Sequence, residues 1–220
     1  MKYNRKVFLT ITCLFSLFVQ AQVNKQQVSA GLKSHDKAVL IKEDIWIRDP
    51  YITLAPDGFY YLTGTTQLPS KQGTTAKYNV GLGDSSQVGW QVRVWKSTDL
   101  VSWEYAGEPF SLQDGYWAQK NAKAFENTPQ RQWHLWAPEL HFINDKWVMV
   151  HTTPGPVKEG SNLAVSKTAA LNGPFDFPLK DLSKGLHDPS IFKDTDGKVY
   201  VIWSNTMIAE LKADMSGFEG

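Results

Sequence analysis

Two acids stand at the same step of two copies of one motif. Asp49 opens "DPYITLAPDGFYYLTG" and Asp188 opens "DPSIFKDTDGKVYVIW". In each copy Asp-Pro leads into a short strand-like stretch, an Asp-Gly turn and an aromatic, β-branched run. A third segment, "APELHFINDKWVMV", aligns on both without gaps. It sets Pro138 over Pro50 and Pro189, and it puts Ala137 where the other two carry the acid. The proline reads as structural, because its ring fixes φ at the start of a strand. The acid does not, because one copy does without it. A lone Asp before Pro serves well as a side-chain turn cap. Two carboxylates brought to one pocket are costly without partners, and such places concentrate function. Their chemistry would suit glycoside hydrolysis. One carboxylate activates water or attacks the sugar, and a protonated one supplies the leaving oxygen with its proton. The surroundings must then hold like groups in opposite protonation states.

The elements that would position these acids are short strands. Candidates are 51–55, 59–63, 91–96, 140–143, 147–152, 163–167, 191–193, 199–204 and 207–212, rich in Val, Ile, Tyr, Phe and Trp and separated by Gly, Pro, Asn and Asp. No window holds a helical apolar period over a dozen residues, so the chain reads as all-β. Each copy of the motif is a hairpin with a third strand after it: "QVRVWKSTDLVSW", "LAVSKTAA" and "MIAELKADMSG". The hairpins start 88 and then 51 residues apart, the first interval stretched by polar insertions at 65–89 and 106–132. A sheet of about four strands recurring every ~40–50 residues is the signature of a β-propeller. Blades packed on both faces explain why "WVMV" and "VYVIW" do not alternate. A β-sandwich would not explain a prolyl start repeated in register. In a propeller, equivalent positions face one axis, so Asp49 and Asp188 are expected at one axial pocket although 139 residues separate them.

Residues 1–21 read as a secretory signal peptide, with Lys2, Arg5 and Lys6 before an apolar run and Ala21 as the last residue before cleavage. That run is short for a membrane span. Cys13 lacks the small-residue context of a lipoprotein site. Removing three cations takes the formal charge from +1 to −2 and removes the single cysteine. The expected mature chain is therefore secreted or periplasmic, without disulfides or a membrane anchor, and stabilised by burial. It has no basic run for nucleic acid. Residues 22–40 read as a polar leader and 41–220 as the propeller domain. The nine tryptophans serve either core packing or stacking on sugar faces.

Together, "RDPYI…DGFYYLTGT", "WAPELHFINDKWVMV" and "HDPSIFKDTDGKVYVIW" resemble glycoside hydrolase family 43 from about residue 45 onward. The resemblance implies a five-bladed propeller, of which about three blades are present. It implies an inverting mechanism on arabinofuranose, xylose or related plant-type sugars, in oligosaccharides or polysaccharides. Asp49 would be the general base. Asp188 would be the third acid, which tunes and orients the general acid. Trp136 and Glu139 would be pocket-wall, substrate-binding positions. The family's general acid is a Glu of the fourth blade, expected beyond residue 220. Glu219 falls instead at the outer end of the third blade. No cofactor is required; the resemblance allows an axial calcium, whose usual ligand positions fall mostly in the other blades. His134, His141 and His151 match no metal-ligand spacing, and His141 and His187 read as polar groups near the pocket or surface. "GLGDS" at 81–85 lacks the ending of a phosphate loop. "STDLVSW" at 97–103 resembles the Asp box of sialidases but lacks its Gly. The competing functions are a non-catalytic sugar-binding propeller and a sialidase-like hydrolase. The two insertions are expected to rim the pocket.

Overall fold

The computed structural model describes residues 26, 29, 30, 33, 46–68, 86–154, 159–180, 183–184, 187–204 and 206–220. Residues 1–21, expected as a signal peptide and including Cys13, and most of the insertion at 65–89 lie outside the described residues.

Three antiparallel sheets follow one another along the chain. The first is β1 (Ile47–Leu54), β2 (Tyr60–Thr66), β3 (Gln91–Ser97) and β4 (Glu104–Ser111). The second is β5 (Trp136–Ile143), β6 (Lys146–Pro154), β7 (Glu159–Ser166) and β8 (Phe175–Asp176), with β9 (Ser183–Lys184) also paired to β7. The third is β10 (Ser190–Lys193), β11 (Val199–Trp203) and β12 (Met207–Leu211). β5 packs against β1 and β2, and β10 packs against β5, so the leading strands gather at one place. These are consecutive blades of a β-propeller.

All nine strands expected from the sequence are present. β4, and the two-residue strands β8 and β9, were not expected; the longest of these is β4. Its sequence, EYAGEPFS, carries Gly107 and Pro109, and its pairing with β3 slips at Val94. A bulged outer strand tolerates both residues, which deplete strand signals elsewhere. β4 takes up the start of the insertion at 106–132. Two short helices, Tyr116–Lys120 and Ala122–Asn127, take up much of the rest.

The second sheet is buried on both faces. Leu140, Trp147, Met149 and Ala164 join a core with Val92, Val94 and Phe110 of the first sheet. Ile143, Val148, Val150, Leu163 and Val165 alternate with them and join a core with Ile191, Val199, Val201 and Trp203 of the third. This is why "WVMV" is continuously apolar. The third sheet has one such core only. Its other face leaves Phe192, Ile202 and Ile208 exposed, the last at 62%.

The gapless alignment of the three hairpins holds through the first strand and slips by one residue at the turn. β5 and β6 meet at Ile143↔Lys146 around Asn144-Asp145, both with positive φ (51° and 59°). That is the two-residue turn favoured in hairpins. The outer hairpins need one residue more, and Gly58 (φ 84°) and Gly197 (φ 89°) supply their left-handed positions.

Candidate active site

The prolyl corner is a shared backbone device. Asp49, Ala137 and Asp188 all have positive φ, at 51°, 41° and 52°. L-residues avoid this region, and a residue before proline avoids helical geometry as well. Ala137 adopts it without any polar side chain, so the fold and not the acid demands the bend. In β1 and β5 the bend coincides with a bulge: pairing shifts between Arg48 and Tyr51, and between Trp136 and Glu139. Such bulges re-aim side chains. Opposite the first bend sits Gly64, where a Cβ would fall 2.5 Å from Ile47 and 2.8 Å from the Arg48 carbonyl oxygen.

The second and third bends are pinned to the preceding sheet. The Ala137 N–H donates to Thr65 Oγ1 at 2.8 Å, and the Asp188 N–H donates to Thr152 Oγ1 at 2.7 Å. Thr65 and Thr152 hold equivalent places, paired with Arg48 and Trp136 respectively. Ser204 holds the third such place and accepts the His187 N–H at 3.3 Å.

Asp49, Tyr51, Glu139 and Asp188 line one open pocket of about 280 Å³, with Pro50, Ala137 and Pro189. The two acids therefore share a pocket with Ala137, as expected from the repeat. Neither acts as a turn cap: among the described residues neither carboxylate accepts a backbone N–H. Asp49 Oδ2 accepts from Arg48 Nε at 2.9 Å and from Thr65 Oγ1 at 3.2 Å. Thr65 thus uses one hydroxyl to pin the Ala137 backbone and to hold Asp49. The side chain of Asp188 accepts no hydrogen bond among the described residues.

Glu139 enters the pocket from the second sheet. Its Oε2 meets His141 Nε2 at 2.9 Å, and His141 Nδ1 meets the Tyr51 hydroxyl at 3.1 Å. Burial, and then the charge of Glu139, push the Tyr51 phenol up to about 12. The phenol keeps its proton and donates it to Nδ1, which leaves the Nε2–H for Glu139. The sequence reading missed this chain. Its one local signal was the i, i+2 spacing of Glu139 and His141, which puts both on one strand face.

Trp136 is not among the residues that line the pocket. The guanidinium of Arg48, which pairs with Asp49, lies over the Trp136 ring at 5.6 Å. None of the lining residues comes from 106–132. That insertion's Phe110, Leu112 and Phe125 join the core between the first two sheets, and Phe110, Tyr116 and Phe125 line a separate cavity with His151 and Phe177. The Asp-box-like turn is structural. Burial alone would raise the Asp99 carboxyl. The N–H groups of Ser102 and Val101 and the Ser97 hydroxyl outweigh burial and hold the carboxyl below its usual range. Glu219 donates its N–H to the Glu210 carbonyl, at the outer edge of the third sheet. Among the described residues no three His, Cys, Asp or Glu side chains group as metal ligands.

The sequence pattern of "Glycosyl hydrolases family 43" matches residues 45–219. A "Beta-xylosidase" of Bacillus subtilis (strain 168) is 29% identical over 133 residues, which is 59% of this chain and 22% of that protein. The endo-arabinase of Bacteroides thetaiotaomicron VPI-5482 superposes with a TM-score of 0.53 at 21% identity, over 79% of this chain and 54% of the other. A GH43_1 enzyme from Xanthomonas citri, solved with xylotriose, superposes with a TM-score of 0.54 at 16% identity, over 89% of this chain and 59% of the other. The chain thus spans about a fifth of the curated relatives it matches, 22% and 20% of their lengths. Fold, motif order and family pattern agree: the chain belongs to glycosyl hydrolases family 43 and folds as consecutive blades of a β-propeller.

Proposed function

We propose that the full-length protein is an exported, inverting glycosidase of the arabinofuranosidase or xylosidase type, acting on plant-type oligosaccharides or polysaccharides. The observation that carries this reading is the meeting of Asp49 and Asp188 in one open pocket. Asp49 is the general base. Both of its donors engage Oδ2. Oδ1 is therefore the oxygen left for a water. As the water oxygen bonds the anomeric carbon, its proton passes to Asp49 and the bond to the leaving oxygen breaks. The leaving oxygen takes its proton from a general acid, the fourth-blade glutamate that the family resemblance implies. Asp188 orients that acid and tunes its pKa.

The pocket wall carries three carboxylates and no cation among its lining residues. Such a wall favours an uncharged polyhydroxylated ligand and disfavours an anionic one, which argues against a sialidase. The test uses the full-length protein with 4-nitrophenyl β-xyloside, 4-nitrophenyl α-arabinofuranoside and the matching oligosaccharides. Proton NMR follows the first-formed anomer. Hydrolysis with inversion is expected. Retention would remove the base assignment, and sugar binding without any turnover would make the protein a binding propeller.

A further inference from the structure

We propose that His141 is a positioning residue which, braced on Tyr51, holds the Glu139 carboxylate in the pocket as the acceptor for one hydroxyl of the bound sugar. This rests on the glycosidase reading for the identity of the ligand. The geometry has three parts. Glu139 lines the pocket, and its side chain is only 19% exposed. Its Oε2 is taken by the His141 Nε2–H, and among the described residues Oε1 has no partner. Oε1 is therefore the acceptor that a ligand would meet. His141 is 7% exposed, and it lies against Tyr51 with ring centroids 4.7 Å apart. It touches the pocket only through its two partners.

The bracing crosses from the second sheet to the first. Tyr51 stands two residues after the first bend and Glu139 two residues after the second, so they are equivalent positions of adjacent blades. A carboxylate on a long, freely rotating side chain would lose rotamer entropy on meeting a hydroxyl. The His141 bond removes that freedom beforehand, and Tyr51 prevents the imidazole from turning away.

The experiment compares wild type, His141→Ala and His141→Gln in the full-length protein. The probes are the 4-nitrophenyl xyloside or arabinofuranoside that the wild type hydrolyses faster, and its 2-deoxy and 3-deoxy forms. His141→Ala should lower kcat/KM about 10–100-fold on the parent glycoside, mostly through KM. Gln can place an amide N–H near the Nε2 position and should restore most of the loss. On one of the two deoxy glycosides, wild type and His141→Ala should become equal, because the hydroxyl that Glu139 serves is gone. Equal kcat/KM of wild type and His141→Ala on the parent would overturn the proposal. So would an equal loss on all three glycosides without rescue by Gln, which marks a merely structural histidine. If the wild type binds but turns nothing over, hydrolysis fails as a reading. Calorimetry with xylose and arabinose then reads the same variants for the same ranking, and equal affinities would overturn the proposal.

Discussion

The molecule has two seams between sheets, and they are built on the same pin but finished differently. In both, a threonine of the preceding sheet accepts the N–H of a strained pre-proline residue. At the second seam, pin and apolar core do most of the work: Val148, Val150, Val201 and Trp203 fill it. At the first seam the same threonine also holds Asp49, Arg48 lies over Trp136, and Tyr51, His141 and Glu139 form a polar chain across it. Buried His151 packs there too, 5.5 Å from Phe110. The pin is therefore architecture, repeated wherever a blade follows a blade. Among the described residues this polar chain is found at the first seam alone, and a buried polar chain is costly unless its members are satisfied.

The largest expected effect separates the acids from their corners. Asp49→Asn in the full-length protein should lower kcat about 10²–10⁴-fold or more with unchanged folding, because the amide keeps the shape but not the base. Asp188→Asn should be severe too, yet recover in part on glycosides with very good leaving groups, since its proposed task is to serve the proton donor. Equal leaving-group dependence of the two variants would erase the distinction between the acids.

Acid should weaken the first seam and spare the second. Complete burial drives the His151 imidazole down from 6.5 to about 4, against a smaller opposing effect of the Thr152 backbone. The folded state thus refuses a proton that the unfolded chain takes. The stability this group confers is full above pH 6.5 and is lost as pH falls toward 4, up to about 3 kcal/mol. Urea titrations at pH 7 and pH 4.5 should show most of that loss in the wild type and little of it in His151→Asn.

Thr65→Val and Thr152→Val each leave a backbone N–H without its acceptor, and each should cost about 1–3 kcal/mol by urea denaturation. Only Thr65→Val should also reduce kcat, since only Thr65 touches Asp49, the proposed base. A comparable kcat loss in Thr152→Val would show that the pins act on the site through the fold. Smallest is Ala137→Gly. Relief of left-handed strain, worth about 1–2 kcal/mol, outweighs the ~0.5–1 kcal/mol entropy cost of glycine, so a slight rise in Tm is expected.

Much of the fold could be read directly. Three Asp/Ala-Pro hairpins announced three blades, and continuous apolar runs announced sheets covered on both sides. The reading went astray where local composition misleads. β4 hides behind Gly107 and Pro109, and the middle turn is a residue shorter than its equivalents. The insertion at 106–132 looked like a pocket rim because it is polar and long. Its Phe110, Leu112 and Phe125 anchor it in the core of the first seam instead.

The sequence by itself determined that two acids stand at one repeated backbone step, and that a third copy dispenses with the acid. Repetition carries that information, because equivalent residues of a repeat face one axis. Which oxygens are engaged, and which groups brace which, follows from the packing of the sheets. Tyr51 and His141 are 90 residues apart, and Thr65 and Ala137 are 72 apart. No local pattern pairs them. They meet because the left-handed bends at Asp49 and Ala137 turn the two leading strands toward each other, and φ at an alanine leaves no mark in a sequence.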